Sequence, residues 1–282
     1  MEYMALYAID GNAVMAVLFV LGFLLTFLMI PLFKGMLTEG DIVRPNYKGD
    51  MIPVSMGIVF IPMLTINAIL LASVVRSIEN AAYIFIFVSA VFSMAFAGIM
   101  DDIIGNRNVS GLKGHFKSLF KGKLTTGGFK ALFGGFIGIL VSVFFSENLL
   151  ELCLNTLVIA LSTNLMNLMD LRPGRAIKVY LVIMIPMIIT LTGFVKVLPF
   201  LLVPNVLAYF NEDLKARCMM GDAGSNVLGI SIGILMVMGY TNDVKIAWLI
   251  FLVLIHILTE KYSLTKIIEN NKVLNFIDRL GR

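Results

Sequence analysis

The stretch Ala81–Gly105, "AAYIFIFVSAVFSMAFAGIMDDIIG", decides the fold: 20 residues pass without a charge, and then two carboxylates, Asp101 and Asp102, stand side by side. A helix rises about 1.5 Å per residue, so about 20 apolar residues cross the roughly 30 Å hydrocarbon layer of a bilayer. Backbone groups in lipid must pair within the segment, which makes a helix the form such a run takes. The acidic pair then marks the seam where the helix leaves the apolar layer.

The same pattern recurs along the chain. Nine candidate spans run approximately over 13–33, 53–75, 81–100, 129–146, 152–169, 176–194, 197–210, 223–240 and 246–262, the seventh being short and holding Pro199 and Pro204. Of 282 residues, 59% are hydrophobic and only 14% charged, and the mean hydropathy is +0.93. These values exclude a water-soluble domain and predict an all-α polytopic membrane protein, residues 1–282 forming one integral membrane domain. No Lys or Arg precedes the first span, which carries Glu2 and Asp10 ahead of it, so it is expected to stay as a helix and not to be a cleaved signal.

Lys and Arg concentrate in alternate loops. Arg107, Lys113, Lys117, Lys121, Lys123 and Lys130 follow the acidic pair, and Arg172, Arg175 and Lys178 follow the fifth span. The intervening connections hold at most one basic residue each, as in "SENLLE" and "GFVKV". Because basic loops stay on the cytoplasmic side, the N-terminus is expected outside and the C-terminus inside, with every polar cluster on the cytoplasmic face. The net charge of +4 then reflects loops suited to anionic headgroups or phosphorylated substrates, not nucleic acid. Cys153 and Cys218 fall at opposite faces and are expected not to pair. Residues 263–282 place Leu264, Ile267, Ile268, Leu274, Ile277 and Leu280 near one helical face, which predicts an amphipathic cytoplasmic tail helix, either lying on the inner leaflet or packing on the bundle.

Four polar clusters share the cytoplasmic face. They are Asp101 and Asp102 with the basic loop behind them; "NLMNLMD", where Asn164, Asn167 and Asp170 recur every three residues and so share one helix side; "MGDAGSNVLG", with Asp222 at the start of the eighth span; and "RPNYKGDMIPVSMG", beginning at Arg44. A single acid at a helix end marks only the lipid boundary, whereas adjacent acids repel and are more comfortable beside cations. Carboxylates, amides and lysines without a Cys or His cluster favour Mg²⁺ and phosphate over zinc, and the glycines of "GDAGS" would let backbone N–H groups approach an anion at a helix start. The predicted chemistry is phosphoryl transfer at a membrane surface. His115, in the basic loop, reads as a solvated residue, and His256 receives no catalytic role.

In this order, "DDIIG", "GLKGHFK", "NLMNLMD" and "MGDAGS" resemble the polyprenyl-phosphate N-acetylhexosamine-1-phosphate transferases, the superfamily of the enzyme that makes lipid I of peptidoglycan. The resemblance implies transfer of a sugar 1-phosphate from a UDP-amino sugar to polyprenyl (undecaprenyl) phosphate, with release of UMP and a requirement for Mg²⁺, at the cytoplasmic face of a bacterial plasma membrane. It also implies roles. Asp222 is the metal-binding acid, Asp101 and Asp102 sit beside the lipid phosphate, Lys117 neutralises phosphate, and Asn164, Asn167 and Asp170 face the donor. Arg44, Lys113, Lys123, Arg172 and Arg175 complete the candidate substrate-binding set, the last two alternatively serving only to hold their loop on the cytoplasmic side, and a second copy of the chain is a candidate partner.

Three departures concern the donor side: Pro173 replaces an expected second Asp, Met219 stands where a Phe near the uracil is common, and no His-rich segment follows the ninth span. The competing reading is a family member that binds polyprenyl phosphate or scaffolds envelope assembly without catalysis. An intramembrane aspartyl protease needs neither the basic loop nor the Asn cluster. The dense Asp pattern of CDP-alcohol phosphotransferases is absent, and a transporter would need more ionisable residues inside its spans.

Overall fold

The structure, a computed structural model, describes residues 11–105, 118 and 122–282. In chain order the described elements are α1 (Gly11–Glu39), strands β1 (Val43–Pro45) and β2 (Met51–Pro53), a 3-10 turn at Met56–Val59 leading into α2 (Phe60–Val74), α3 (Ile78–Ile104), α4 (Thr126–Val143), α5 (Leu149–Met169), α6 (Arg175–Thr190), a 3-10 stretch Gly193–Leu201 joined to α7 (Val203–Leu214), α8 (Gly221–Gly239), α9 (Asn242–Lys261), α10 (Leu264–Asn270) and α11 (Lys272–Arg279). Large apolar side chains such as Phe27, Leu28, Phe85, Phe136 and Leu254 are exposed on the outside of the bundle, as lipid-facing residues would be.

Eight of these segments are long and apolar enough to cross a membrane. The sixth expected span falls short: α6 has 16 residues, about 24 Å of helix. It nevertheless joins the two ends of the bundle. At its start, Gly174 N–H donates to Asp213 near the ends of α5 and α7. At its finish, the Thr190 hydroxyl lies 2.6 Å from the Tyr240 hydroxyl, just past the end of α8. The seventh span is longer than the sequence predicts, because Pro199 and Pro204 break the helix into a 3-10 stretch and α7 without ending the crossing; the whole runs Gly193–Leu214. Nine described segments therefore traverse the bundle, and Asp101, Asp102, Lys130, Asp170, Asp213 and Asp222 share one end.

At the centre stands α8, in which every residue from Ala223 to Val237 is buried. It packs chiefly against α3 and α5. The approach to α3 is so close that a Cβ on Gly98 would lie 2.2 Å from the carbonyl oxygen of Asp222, and the 3-10 turn ahead of α2 comes as near, a Cβ on Gly57 lying 2.2 Å from the Gly224 Cα. Without water to drive association, close backbone packing through small residues is what holds helices together in lipid.

The hairpin β1–β2 was not expected from the sequence. Arg44 pairs with Ile52 in an antiparallel register, and the Asn46 carboxamide closes the turn by accepting from Lys48 N–H at 2.8 Å and Asp50 N–H at 3.0 Å. Beyond the hairpin the chain clasps the segment before α8. Met219 N–H donates to the Pro53 carbonyl, and Met56 and Gly57 N–H donate to the carbonyls of Met219 and Met220.

The expected single tail helix is two helices, broken at Asn271, whose side chain caps the second by accepting from Val273 and Leu274 N–H at 3.1 Å each. The tail folds back on the bundle. Arg175 donates to both Asp278 carboxylate oxygens, at 2.8 and 3.0 Å, and Lys178 Nζ donates to the carbonyls of Ile277, Asp278 and Leu280. Arg175 and Asp278 are both buried, so Asp278→Ala strands a cation; a loss of about 3–5 kcal/mol in tail docking is expected, read as faster tryptic cleavage at Lys266 and Lys272. Burial raises the Asp278 carboxyl, but the bonds and charge of Arg175, with Arg282, outweigh it and hold it below the usual range. A lowered folded-state value means docking is complete above the ordinary carboxylate range and is lost as pH falls through the lowered one. Amide exchange of residues 264–279, corrected for its intrinsic pH dependence, would show this as protection lost in acid.

Candidate active site

At the charged end of the bundle a cavity of about 1190 Å³ opens between α3, α4, α5, α8 and α9. Its wall includes Asp101, Asp102, Lys130, Asn164, Asn167, Asp170, Asp213 and Asp222, with Arg44 and Tyr47 from the hairpin and His256 and Glu260 from the end of α9. The candidates from "DDIIG", "NLMNLMD" and "MGDAGS" thus meet in one place.

The two neighbouring aspartates do different things, since adjacent helical residues point about 100° apart. Asp102 turns toward α8 and caps its start. One oxygen accepts from Asp222 N–H at 3.0 Å, and the other accepts from Ala223 N–H at 3.1 Å and from the Ser55 hydroxyl at 2.5 Å. Ser55 holds a left-handed conformation, φ 62°, at a cost of about 1–2 kcal/mol, and its bond to Asp102 offsets that strain. Gly221 is also left-handed, φ +72°, and a Cβ there would lie 2.4 Å from the Asp102 carboxylate. The glycine of "MGD" therefore makes room for an acid of the chain itself. The N–H groups at the start of α8, read in sequence as a berth for a ligand anion, are taken by Asp102.

Asp101 turns instead to Lys130 Nζ, 2.9 Å from its carboxylate. The same ammonium is paired with Asp222. Lys130 lies one turn into α4, from Thr126, and was counted in sequence among the basic loop residues and not as a site residue. Its signal was available: it is a lone charge inside an apolar helix, which in a membrane is a functional mark.

Asn167 is fixed between helices, donating to the Asn226 side chain at 2.8 Å and accepting from the Ser225 hydroxyl at 2.5 Å, while Asn164 is exposed in the cavity. Asp170 closes α5. Burial, with the negative charges of Asp213, Asp222 and Asp102 around it, raises its carboxyl well above the ordinary range. Asp213, buried and accepting from Gly174 N–H at 2.9 Å, was not anticipated. Arg44 donates to the Asp102 carbonyl at 2.6 Å.

The other candidates are placed differently. Arg175 was expected to bind substrate, but it is buried against Asp278 and is not among the cavity residues. Arg172 borders the cavity with its guanidinium 3.6 Å from Glu269. Lys123 is exposed and does not line the cavity, and Lys113, Lys117 and His115 lie outside the described residues. Cys153 is exposed and Cys218 buried, both as free thiols.

Among the described residues, no three His, Cys, Asp or Glu side chains are grouped to hold a metal. The donors nevertheless suit Mg²⁺, which binds through one or two carboxylates and completes its shell with water and substrate phosphates. Asp101 and Asp222 already share one cation, the Lys130 ammonium.

Membrane-crossing helices thus enclose an acidic, amide-lined and lysine-bridged cavity at one end of the bundle. The sequence model of glycosyl transferase family 4 matches residues 84–240, more than half of the chain, from within α3 to the end of α8. The protein belongs to that family, the superfamily of polyprenyl-phosphate hexosamine-1-phosphate transferases. None of the curated proteins compared with it matches the chain.

Proposed function

We propose that the protein transfers an N-acetylhexosamine 1-phosphate from a UDP-sugar to undecaprenyl phosphate at the cytoplasmic face of a bacterial plasma membrane, releasing UMP, as a step in envelope glycan assembly. The observation that carries this reading is that Asp101 and Asp222, from helices 121 positions apart in sequence, flank a single cation in a cavity also lined by Asn164 and Asp170.

The acceptor needs no general base. A phosphate monoester has its second pKa near 6, so its oxygen is already ionised at neutral pH. That oxygen forms a bond to the β-phosphorus of the donor, the bond from this phosphorus to the bridging oxygen breaks, and UMP departs with the electron pair. Asp101 and Asp222 are the groups that would hold Mg²⁺, which when bound neutralises charge on the pyrophosphate. Lys130 contributes positive charge beside the reacting phosphates, Arg44 and Arg172 stand at the rim to meet donor phosphates, and Asn164 is free to bond the donor. Asp102 acts on the protein, holding α8 in place, and is a positioning residue.

Purified protein, undecaprenyl phosphate and Mg²⁺ are to be incubated with a panel of UDP-amino sugars while UMP is measured. UMP should appear with at least one donor and be lost in Asp222→Asn; silence across the panel, or full release by the variant, would defeat the proposal. A second reading, polyprenyl-phosphate binding without turnover, draws on Arg175, which the tail removes from the donor side. Saturable lipid binding with no UMP from any donor would establish it.

A further inference from the structure

Lys130 is the only charged residue of α4, and its ammonium bridges Asp101, at 2.9 Å, and Asp222. A cation at that depth persists only when paired, and the two acids repel one another unless something positive stands between them. The lysine and the carboxylates therefore hold each other in place without help from outside the chain.

The surroundings leave the lysine room to move. Gly127, Ala131 and Gly134, respectively three before, one after and four after it, border the same cavity. None fills the space beside its stem with a long side chain. The stem itself is four flexible carbons ending in a compact charge.

We propose that Lys130 is a displaceable internal counter-ion. It occupies the place between Asp101 and Asp222 while no divalent cation is there, and swings toward phosphate in the cavity when a divalent cation takes that place. Two properties follow: the cation-free protein keeps its acidic pair neutralised and its α3–α8 junction intact, and a metal must break an existing ion pair to enter. This rests on the reading of the cavity as the transfer site in one respect, that a divalent cation is brought there.

The test is Mn²⁺ binding, followed by electron paramagnetic resonance on the purified full chain in nanodiscs, with neither donor nor acceptor present. Lys130→Met should bind Mn²⁺ about tenfold more tightly than wild type, because no ion pair is displaced; Lys130→Arg, which keeps the charge, should bind as wild type does. Equal or weaker binding by Lys130→Met overturns the proposal. Should that variant be unstable, its thermal transition is compared with and without Mn²⁺. A larger Mn²⁺-induced rise than in wild type supports the counter-ion role, and an equal rise refutes it. No turnover enters these readings. Absent UMP release beside the expected isotherms would sink the transfer reading alone, whereas normal UMP release beside equal isotherms would sink the counter-ion alone.

Discussion

Asp222→Asn and Asp101→Asn are each expected to lower UMP release by about 10²–10³-fold, the usual loss when one electrostatic partner of a developing charge is removed. Both carboxylates face the cation between them, and an amide keeps the shape while discarding the charge. Asp102→Asn should behave differently although it is the very next residue. It loses part of a cap made of two N–H groups and a hydroxyl, worth about 1–2 kcal/mol, so its thermal transition should fall along with its activity. Turnover and melting measured on the three variants together would separate the roles. A pattern in which Asp101→Asn is unstable and Asp102→Asn is fully active would reverse the assignment.

The largest effect on stability is expected at the junction of α3 and α8. In Gly98→Leu the new Cβ would meet the Asp222 carbonyl oxygen at 2.2 Å, and the atoms in the way are backbone, which cannot step aside. The helices must part, opening the buried centre of the bundle and dragging Asp222 away from Asp101. A loss of about 3 kcal/mol or more is expected, read as a lowered thermal transition or failure to purify. Gly35→Ala in α1 is the matched control, since nothing lies within 4 Å of its added Cβ; it should gain about 0.5–1 kcal/mol from helix propensity. Equal behaviour of the two variants would disprove the close-packing account.

Most of the architecture could be read from hydropathy, because a bilayer imposes length and apolarity on each crossing. The misreadings have local causes. Residues 43–53 form strands of three residues each, too short for an alternating pattern to register. Lys130 closes a run of basic residues and reads with the loop although the span over 129–146 already includes it; the helix start at Thr126 places it a full turn inside the bundle. The order of motifs along the chain located the cavity. It did not reveal which of two adjacent aspartates faces it, since that depends on the rotation of α3 against α8. Nor did it reveal that Arg175 is held by Asp278, a partner 103 positions away.

The cap made by Asp102 has a mechanical consequence. Its carboxylate grips the main-chain N–H groups of Asp222 and Ala223, so the separation of Asp101 from Asp222 is gauged by hydrogen bonds to the backbone and not by the slack of surrounding side chains. Bilayers of different thickness tilt the helices within them. With α3 and α8 pinned together at this end, such tilting pivots about the pin, and the excursion is delivered to the far ends of the helices. The gap between Asp101 and Asp222 is thereby insulated from fluctuations of the surrounding membrane.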